Sequence, residues 1–84
     1  MNRNNSYFET SSLPLAASII CSGILLDSIV KNQDGKAVFI FNRSNNPDLD
    51  RIIQDFWKKE LRTEPNAFWE AVRFLKSRIY GEFQ

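Results

Sequence analysis

The apolar positions of this chain fall into blocks whose spacing alternates between strand-like and helix-like. Residues 7–10 are predicted to form a short strand. Residues 13–22 are apolar on most sides, which is typical of a buried helix. Ser11 or Ser12 can cap this first helix, Pro14 suits its first turn, and Gly23 is placed to end it in a left-handed conformation.

A β-hairpin is the clearest local signal. Residues 24–31 are rich in apolar and β-branched side chains, residues 32–35 contain an Asp-Gly turn, and residues 36–42 form a second apolar run. The second run is apolar at successive positions, so we expect both faces of that strand to be covered.

Two further helices are predicted in the second half of the chain. Ser44, Asn45 or Asn46 can cap the second helix, with Pro47 in its first turn, and positions 49, 52, 53 and 56 share one apolar face. Residues 61–63 are a candidate extended segment. Thr63 then precedes the third helix, in which Pro65 takes the first position, positions 68, 71, 72, 75 and 79 form the buried stripe, and Gly81 ends the helix.

The predicted order is β-α-β-β-α-(β)-α. It indicates an α+β fold in which a small antiparallel sheet, a β-hairpin plus short edge strands, packs with three helices. The 84 residues, 43% hydrophobic and 25% charged, are typical of one globular domain. We therefore expect a frayed or disordered segment at residues 1–6 and a single compact domain at residues 7–84, because no repeat or linker interrupts the chain.

Charge and cysteine content narrow the class of protein. The net charge of +1 is not typical of a strongly basic nucleic-acid binder. A single cysteine excludes an intrachain disulfide, which small secreted domains usually need, so a reducing cytoplasm is the expected location. The uncharged run at residues 13–26 resembles a signal peptide. However, Glu9 lies before it, Pro14 and Gly23 interrupt it, and it is too short to span a bilayer, so we expect no membrane partner.

The residues needed for common enzyme chemistry are missing or unsuitably placed. The chain has no histidine, which removes the commonest general base and metal ligand. Cys21 is predicted to lie on a buried helix, where thiols are inert. The carboxylates Asp48, Asp50 and Asp55 are interpreted as a solvated helix face. The three glycines are too far apart for a phosphate-binding loop. We expect no enzyme activity, no catalytic residues, no metal and no cofactor.

Helix three carries the one constellation that suggests binding. Trp69, Arg73, Lys76 and Tyr80 are spaced by four, three and four residues, which places them on one line beside the buried stripe. We call these four residues the aromatic–basic stripe. Such a line can contact an acidic protein partner or stack on and neutralise a nucleic acid. Alternatively, the rings form the rim of the core and the cations lay their stems over them. Arg78 lies on another side of the helix and can widen the surface together with Phe74.

Several short segments together resemble a known family. They are residues 7–12, Leu15-Ala16-Ala17, Gly23, Val38-Phe39-Ile40-Phe41, Asp55-Phe56-Trp57 and residues 75–80 with the sequence Leu-Lys-Ser-Arg-Ile-Tyr. The chain thereby resembles a small, stand-alone family of bacterial domains of unknown function. The resemblance implies a fold and no catalytic residues. Members have a glycine after the Phe-Trp pair, where this chain has Lys58-Lys59-Glu60.

The predicted function is that of a small cytoplasmic binding or adaptor domain. Its partner is expected to be a protein, or a second copy, held by the stripe and Arg78, and the exposed edge of the hairpin is a second way to dimerise. The alternative is a nucleic-acid-binding accessory protein. A third hypothesis is a noncatalytic pocket for a small ligand between helix one and the sheet, unless Phe39 and Phe41 fill that space.

Overall fold

A computed structural model describes residues 6–82 and shows a three-stranded antiparallel sheet with three helices. The elements are β1 (Tyr7–Thr10), α1 (Leu13–Cys21), β2 (Ser28–Lys31), β3 (Ala37–Asn42), α2 (Leu49–Trp57) and α3 (Pro65–Glu82). The strand order is β1-β3-β2. The predicted α+β fold is thereby confirmed, and residues 61–63 form an irregular connection rather than the optional strand.

The predicted frayed N-terminus lies mostly at residues 1–5, outside the described residues. Ser6 is described, and its carbonyl accepts a hydrogen bond of 2.7 Å from the amide of Arg43. This bond continues the pairing of β1 with β3, in which Tyr7 lies opposite Asn42.

Helix α1 begins and ends with signals that are readable in the sequence. The Ser12 hydroxyl accepts a hydrogen bond of 3.2 Å from the Leu15 amide, which satisfies one of the free donors of the first turn. At the other end Gly23 has a φ of 98°. Its amide donates to the carbonyl of Ile20, and the next amide, that of Ile24, donates to Ile19. This bond pair closes a helix that stops in the left-handed region.

Helix α1 lies at the centre of the packing. It contacts α3, α2 and β1. Leu15, Ala16, Ala17 and Ile19 are at most 1% exposed, which accounts for the absence of charge in this stretch. The sheet contributes Phe39 and Phe41 to the same cluster, and α3 contributes Leu75. Small alanines on α1 leave room for neighbouring elements to approach closely.

The sheet is fully buried on one face only. Phe39 and Phe41 point into the core at 2% and 0% exposure, whereas Val38 and Ile40, on the opposite side of β3, are only half-buried. The prediction that both faces of β3 are covered is therefore wrong. Cross-strand neighbours shield part of each apolar side chain, so an apolar position on a strand does not require a second layer.

The helix starts of the second half differ from the sequence prediction. Helix α2 begins at Leu49 with Asp48 as its cap residue, so Pro47 precedes the helix instead of occupying its first turn. The asparagines shape the turn after β3 instead. The Asn42 side chain accepts from the Asn45 amide at 2.9 Å, and Asn46 Nδ2 donates to the Asn42 carbonyl at 2.7 Å. Such local bonds compete with helix capping.

Helix α3 is capped by Glu64 and extends further than predicted. The carboxylate of Glu64 accepts hydrogen bonds from the amides of Asn66 and Ala67, at 3.1 and 2.8 Å. A negative group at this end also complements the helix dipole. The helix continues through Gly81, which was predicted to end it.

The turn that ends α2 contains a strained residue. Lys59 has a φ of 63°, and within residues 6–82 no other residue except glycine has a positive φ. Its amide donates to the Phe56 carbonyl and that of Glu60 donates to Asp55. The bond pattern is the one seen at Gly23, but here a residue with a Cβ occupies the left-handed position.

Candidate binding surface

The aromatic–basic stripe lies on the solvent side of α3. A different side of this helix, roughly 120° around from the stripe, buries Ala71, Val72 and Leu75 against the rest of the core. This burial fixes the rotation of the helix about its axis, so the stripe, which lies on a different side, faces solvent. All four stripe residues are exposed, and Trp69 and Tyr80 expose 56% and 63% of their surface.

These exposures distinguish the stripe from the edge of the core. Partly buried apolar residues such as Phe68 and Ile79 pack against the core, whereas Trp69 and Tyr80 belong neither to the core nor to that surrounding layer. Two large rings flank two cations along a line of about 17 Å, since eleven residues separate the ends and each adds ~1.5 Å. The surface can thus offer both apolar area and positive charge to one partner.

Arg78 is not brought into this line. Its guanidinium carbon lies 5.8 Å from the centre of the Phe74 ring, and that ring is 43% exposed. At ~100° per residue, the Phe74–Arg78 pair lies roughly 150° around the helix from the middle of the stripe. The pair forms a separate cation–π contact, and one flat partner surface cannot touch both.

The carboxylates of α2 are engaged by arginines. Asp48 and Asp55 lie 3.8 and 3.6 Å from the two terminal nitrogens of Arg51, and Asp50 accepts from Arg43 Nε at 3.1 Å. Exposed pairs of this kind are weak, but they give each carboxylate a structural role. The geometry therefore agrees with a solvated helix face rather than an acid–base pair.

Cys21 is half-buried at the end of α1. Burial, and secondly the negative charge of Glu64, raise the pKa of the Cys21 thiol. Because the thiolate is the reactive form, this environment opposes nucleophilic chemistry.

The part of the chain that the structure describes offers neither a candidate metal site nor a membrane-spanning helix. Between residues 6 and 82 no group of three or more histidine, cysteine or acidic side chains could hold a metal ion. In the same range no helix combines the length and the apolar character that a bilayer crossing requires.

The predicted ligand pocket between α1 and the sheet is reduced to an open depression. It has a volume of about 260 Å³, and Leu13, Phe39 and Ile79 line it from three different elements. Phe39 is nearly fully buried beneath it, so its ring fills the space that a ligand would need.

The structure also shows a surface that sequence reasoning missed. We call it the outer sheet face, and its members are Tyr7, Glu9, Ser28, Val30, Val38 and Ile40, which the strand register places on the side opposite Phe39 and Phe41. Tyr7 is 36% and Val30 44% exposed. Residues 7–10 show little alternation in sequence, so only the pairing with β3 could reveal which side chains share this face.

One end of the outer sheet face is acidic. A shallow depression of about 160 Å³ is lined there by Tyr7, Glu9, Asp27, Ser28 and Ile40. The Ser28 hydroxyl donates to Asp27 Oδ2 at 3.2 Å, which orients the Asp27 carboxylate.

Together the fold and surfaces define a small α+β domain with an exposed aromatic–basic helix face and an open sheet face. A sequence model of the family "Domain of unknown function (DUF5659)" matches residues 5–81. The chain belongs to this family, which confirms the predicted resemblance to a small family of uncharacterised domains. No curated protein and no solved structure matches the chain.

Proposed function

We propose that this domain is a small, noncatalytic binding module that holds a protein partner on the aromatic–basic stripe. The observation that carries the proposal is the exposure of Trp69 and Tyr80 on the same side of α3 as Arg73 and Lys76. Tryptophan, tyrosine and arginine are the residue types that most often dominate interface energies.

The stripe favours an acidic partner surface. Arg73 and Lys76 lie between the two rings, so carboxylates of the partner would be flanked by apolar area that excludes water. Complementary charges across an interface steer the encounter and select the partner, whereas the rings supply contact area. Trp69→Ala or Tyr80→Ala is expected to weaken partner binding by about 2 kcal/mol or more.

Several features support a role without catalysis in the cytoplasm. The carboxylates of α2 are bound to arginines, and the raised pKa of Cys21 disfavours the thiolate. The chain has one cysteine and hence no intrachain disulfide, as expected in a reducing compartment.

The test uses a charge-reversed stripe and a matched control. Immobilised wild-type domain, the double variant Arg73→Glu with Lys76→Glu, and the control Lys58→Glu with Arg62→Glu are incubated with host-cell extract. Retained proteins are identified by mass spectrometry. The stripe variant should lose a partner that the control retains. All four cations are exposed, so both variants should unfold within about 1 kcal/mol of wild type.

Equal capture by the stripe variant and the wild type would contradict the proposal. Nucleic acid is tested in parallel with short single- and double-stranded oligonucleotides, using fluorescence anisotropy at low and high salt. Rings beside cations can stack on bases, and phosphate contacts give strongly salt-dependent affinity. Salt-reversible oligonucleotide binding that the stripe variant loses would replace the protein partner with a nucleic acid.

A further inference from the structure

The outer sheet face is apolar along its middle, and no helix or strand within residues 6–82 covers all of its area. Val38 and Ile40 are half-buried, and Val30 and Tyr7 are at least one-third exposed. Contiguous exposed apolar area on a small domain often marks an interaction surface.

The charge of this face is opposite to that of the stripe. Glu9 and Asp27 are both exposed beside the depression at one end of the face. Arg73 and Lys76 supply two cations, separated by one helical turn, between Trp69 and Tyr80. Each surface thus combines apolar area with two charges of one sign.

The dimensions of the two surfaces also match. The stripe extends over about 17 Å. Strand β3 has six residues and, at ~3.3 Å per residue, extends over about 20 Å. A helix lying along β3 can therefore place one ring on Val38, its two central cations beside Ile40 near Glu9 and Asp27, and its other ring toward Tyr7.

We infer that the outer sheet face of one copy of this chain receives the aromatic–basic stripe of a second copy. This inference rests on the proposed function, because it identifies the partner of the same stripe. The contact joins two different surfaces, so it is head-to-tail and builds a ring or an open chain of copies. The contact involves far fewer residues than the about 20–30 per side of a standard interface, so it is expected to be weak. Because the contact is weak, assembly should grow with protein concentration. Because it depends on exposed charges, which salt screens, assembly should weaken as salt is added.

The experiment uses complementary charge reversals on the full chain. The face variant carries Glu9→Lys with Asp27→Lys, and the stripe variant carries Arg73→Glu with Lys76→Glu. Sedimentation velocity is measured from micromolar to millimolar concentration for wild type, each variant and an equimolar mixture. Wild type should show a mass that rises with concentration. Each variant alone should associate at least about tenfold more weakly than wild type, because like charges then face each other.

The mixture of the two variants is the decisive sample. The stripe of the face variant is still basic and meets the acidic face of the stripe variant, while the other two reversed surfaces attract each other. Association should return to near the wild-type strength, which also shows that both variants are folded. The control Lys58→Glu with Arg62→Glu should self-associate as wild type does.

Three results would overturn the inference: wild type with the mass of one chain at every concentration, unchanged association of either variant, or a mixture that stays monomeric. If wild type is monomeric but the stripe variant loses a captured protein that the control retains, self-docking fails and the proposed function stands. If the stripe variant loses neither self-association nor any partner, both fail.

Discussion

Lys59 offers a direct test of the turn between α2 and α3. Its φ of 63° places it in the left-handed region, where the Cβ of an L-residue crowds the backbone. Its amide closes the helix by donating to the Phe56 carbonyl at 3.0 Å, so the turn cannot relax without losing that bond. Lys59→Gly removes the Cβ and keeps the bond.

The expected gain follows from two opposing contributions. The left-handed conformation costs about 1–2 kcal/mol for a residue with a Cβ. Glycine removes this cost but loses about 0.5–1 kcal/mol of stability, because it makes the unfolded chain more flexible. Lys59→Gly should therefore stabilise the domain by about 0.5–1 kcal/mol. For a domain of this size the melting temperature should rise by about 2–8 °C.

Urea and thermal unfolding, followed by circular dichroism, measure this gain against two controls. Lys59→Ala removes the charged side chain but keeps the Cβ, so it should stay within about 0.5 kcal/mol of wild type. Lys58→Gly changes a neighbour with a φ of −79°, where glycine relieves nothing, and should cost about 0.5–1 kcal/mol. A loss of stability in Lys59→Gly, or an equal gain in Lys59→Ala, would refute the assignment of backbone strain.

Three further predictions concern the core, a helix cap and the thiol. Phe41→Ala should cost about 3–5 kcal/mol in urea unfolding because Phe41 is fully buried; a loss below about 1 kcal/mol would contradict that burial. Glu64→Ala should cost about 1 kcal/mol and Thr63→Ala much less, and the reverse order in thermal melts would contradict the cap at Glu64. Cys21 should react with iodoacetamide more slowly than free cysteine at mildly alkaline pH, since its raised pKa lowers the thiolate fraction. The same shift makes folding stability fall as the pH rises through the folded pKa, and this fall should vanish in Cys21→Ala.

The candidate stripe was readable from sequence because it depends on local geometry alone. Helical spacing puts Trp69, Arg73, Lys76 and Tyr80 on one line whatever the helix packs against. Their exposure was not readable, because the same spacing suits rings at the rim of the core. Only the packing of Ala71, Val72 and Leu75 decided which way the line faces.

Local signals also predicted most of the fold. The Ser12 cap, the stop at Gly23 and the Asp-Gly turn depend on hydrogen bonds and φ values within a few residues, so the chain specifies them by itself. The cap of α2 was misassigned because several polar residues precede this helix. Which one bonds the first free amides depends on the path of the incoming chain.

The pairing of β1 with β3 could not be predicted from the sequence. Placing β1 beside β3 requires contacts between residues 29–35 positions apart, and no local pattern encodes their register. That register buries Phe39 and Phe41, leaves Val38 and Ile40 on the open side, and places Glu9 and Asp27 at the same depression. The sequence by itself therefore determined the elements, the apolar core and the charged line on α3. The tertiary structure alone decided which sheet face stays open and where its acidic end lies, because these depend on long-range pairing.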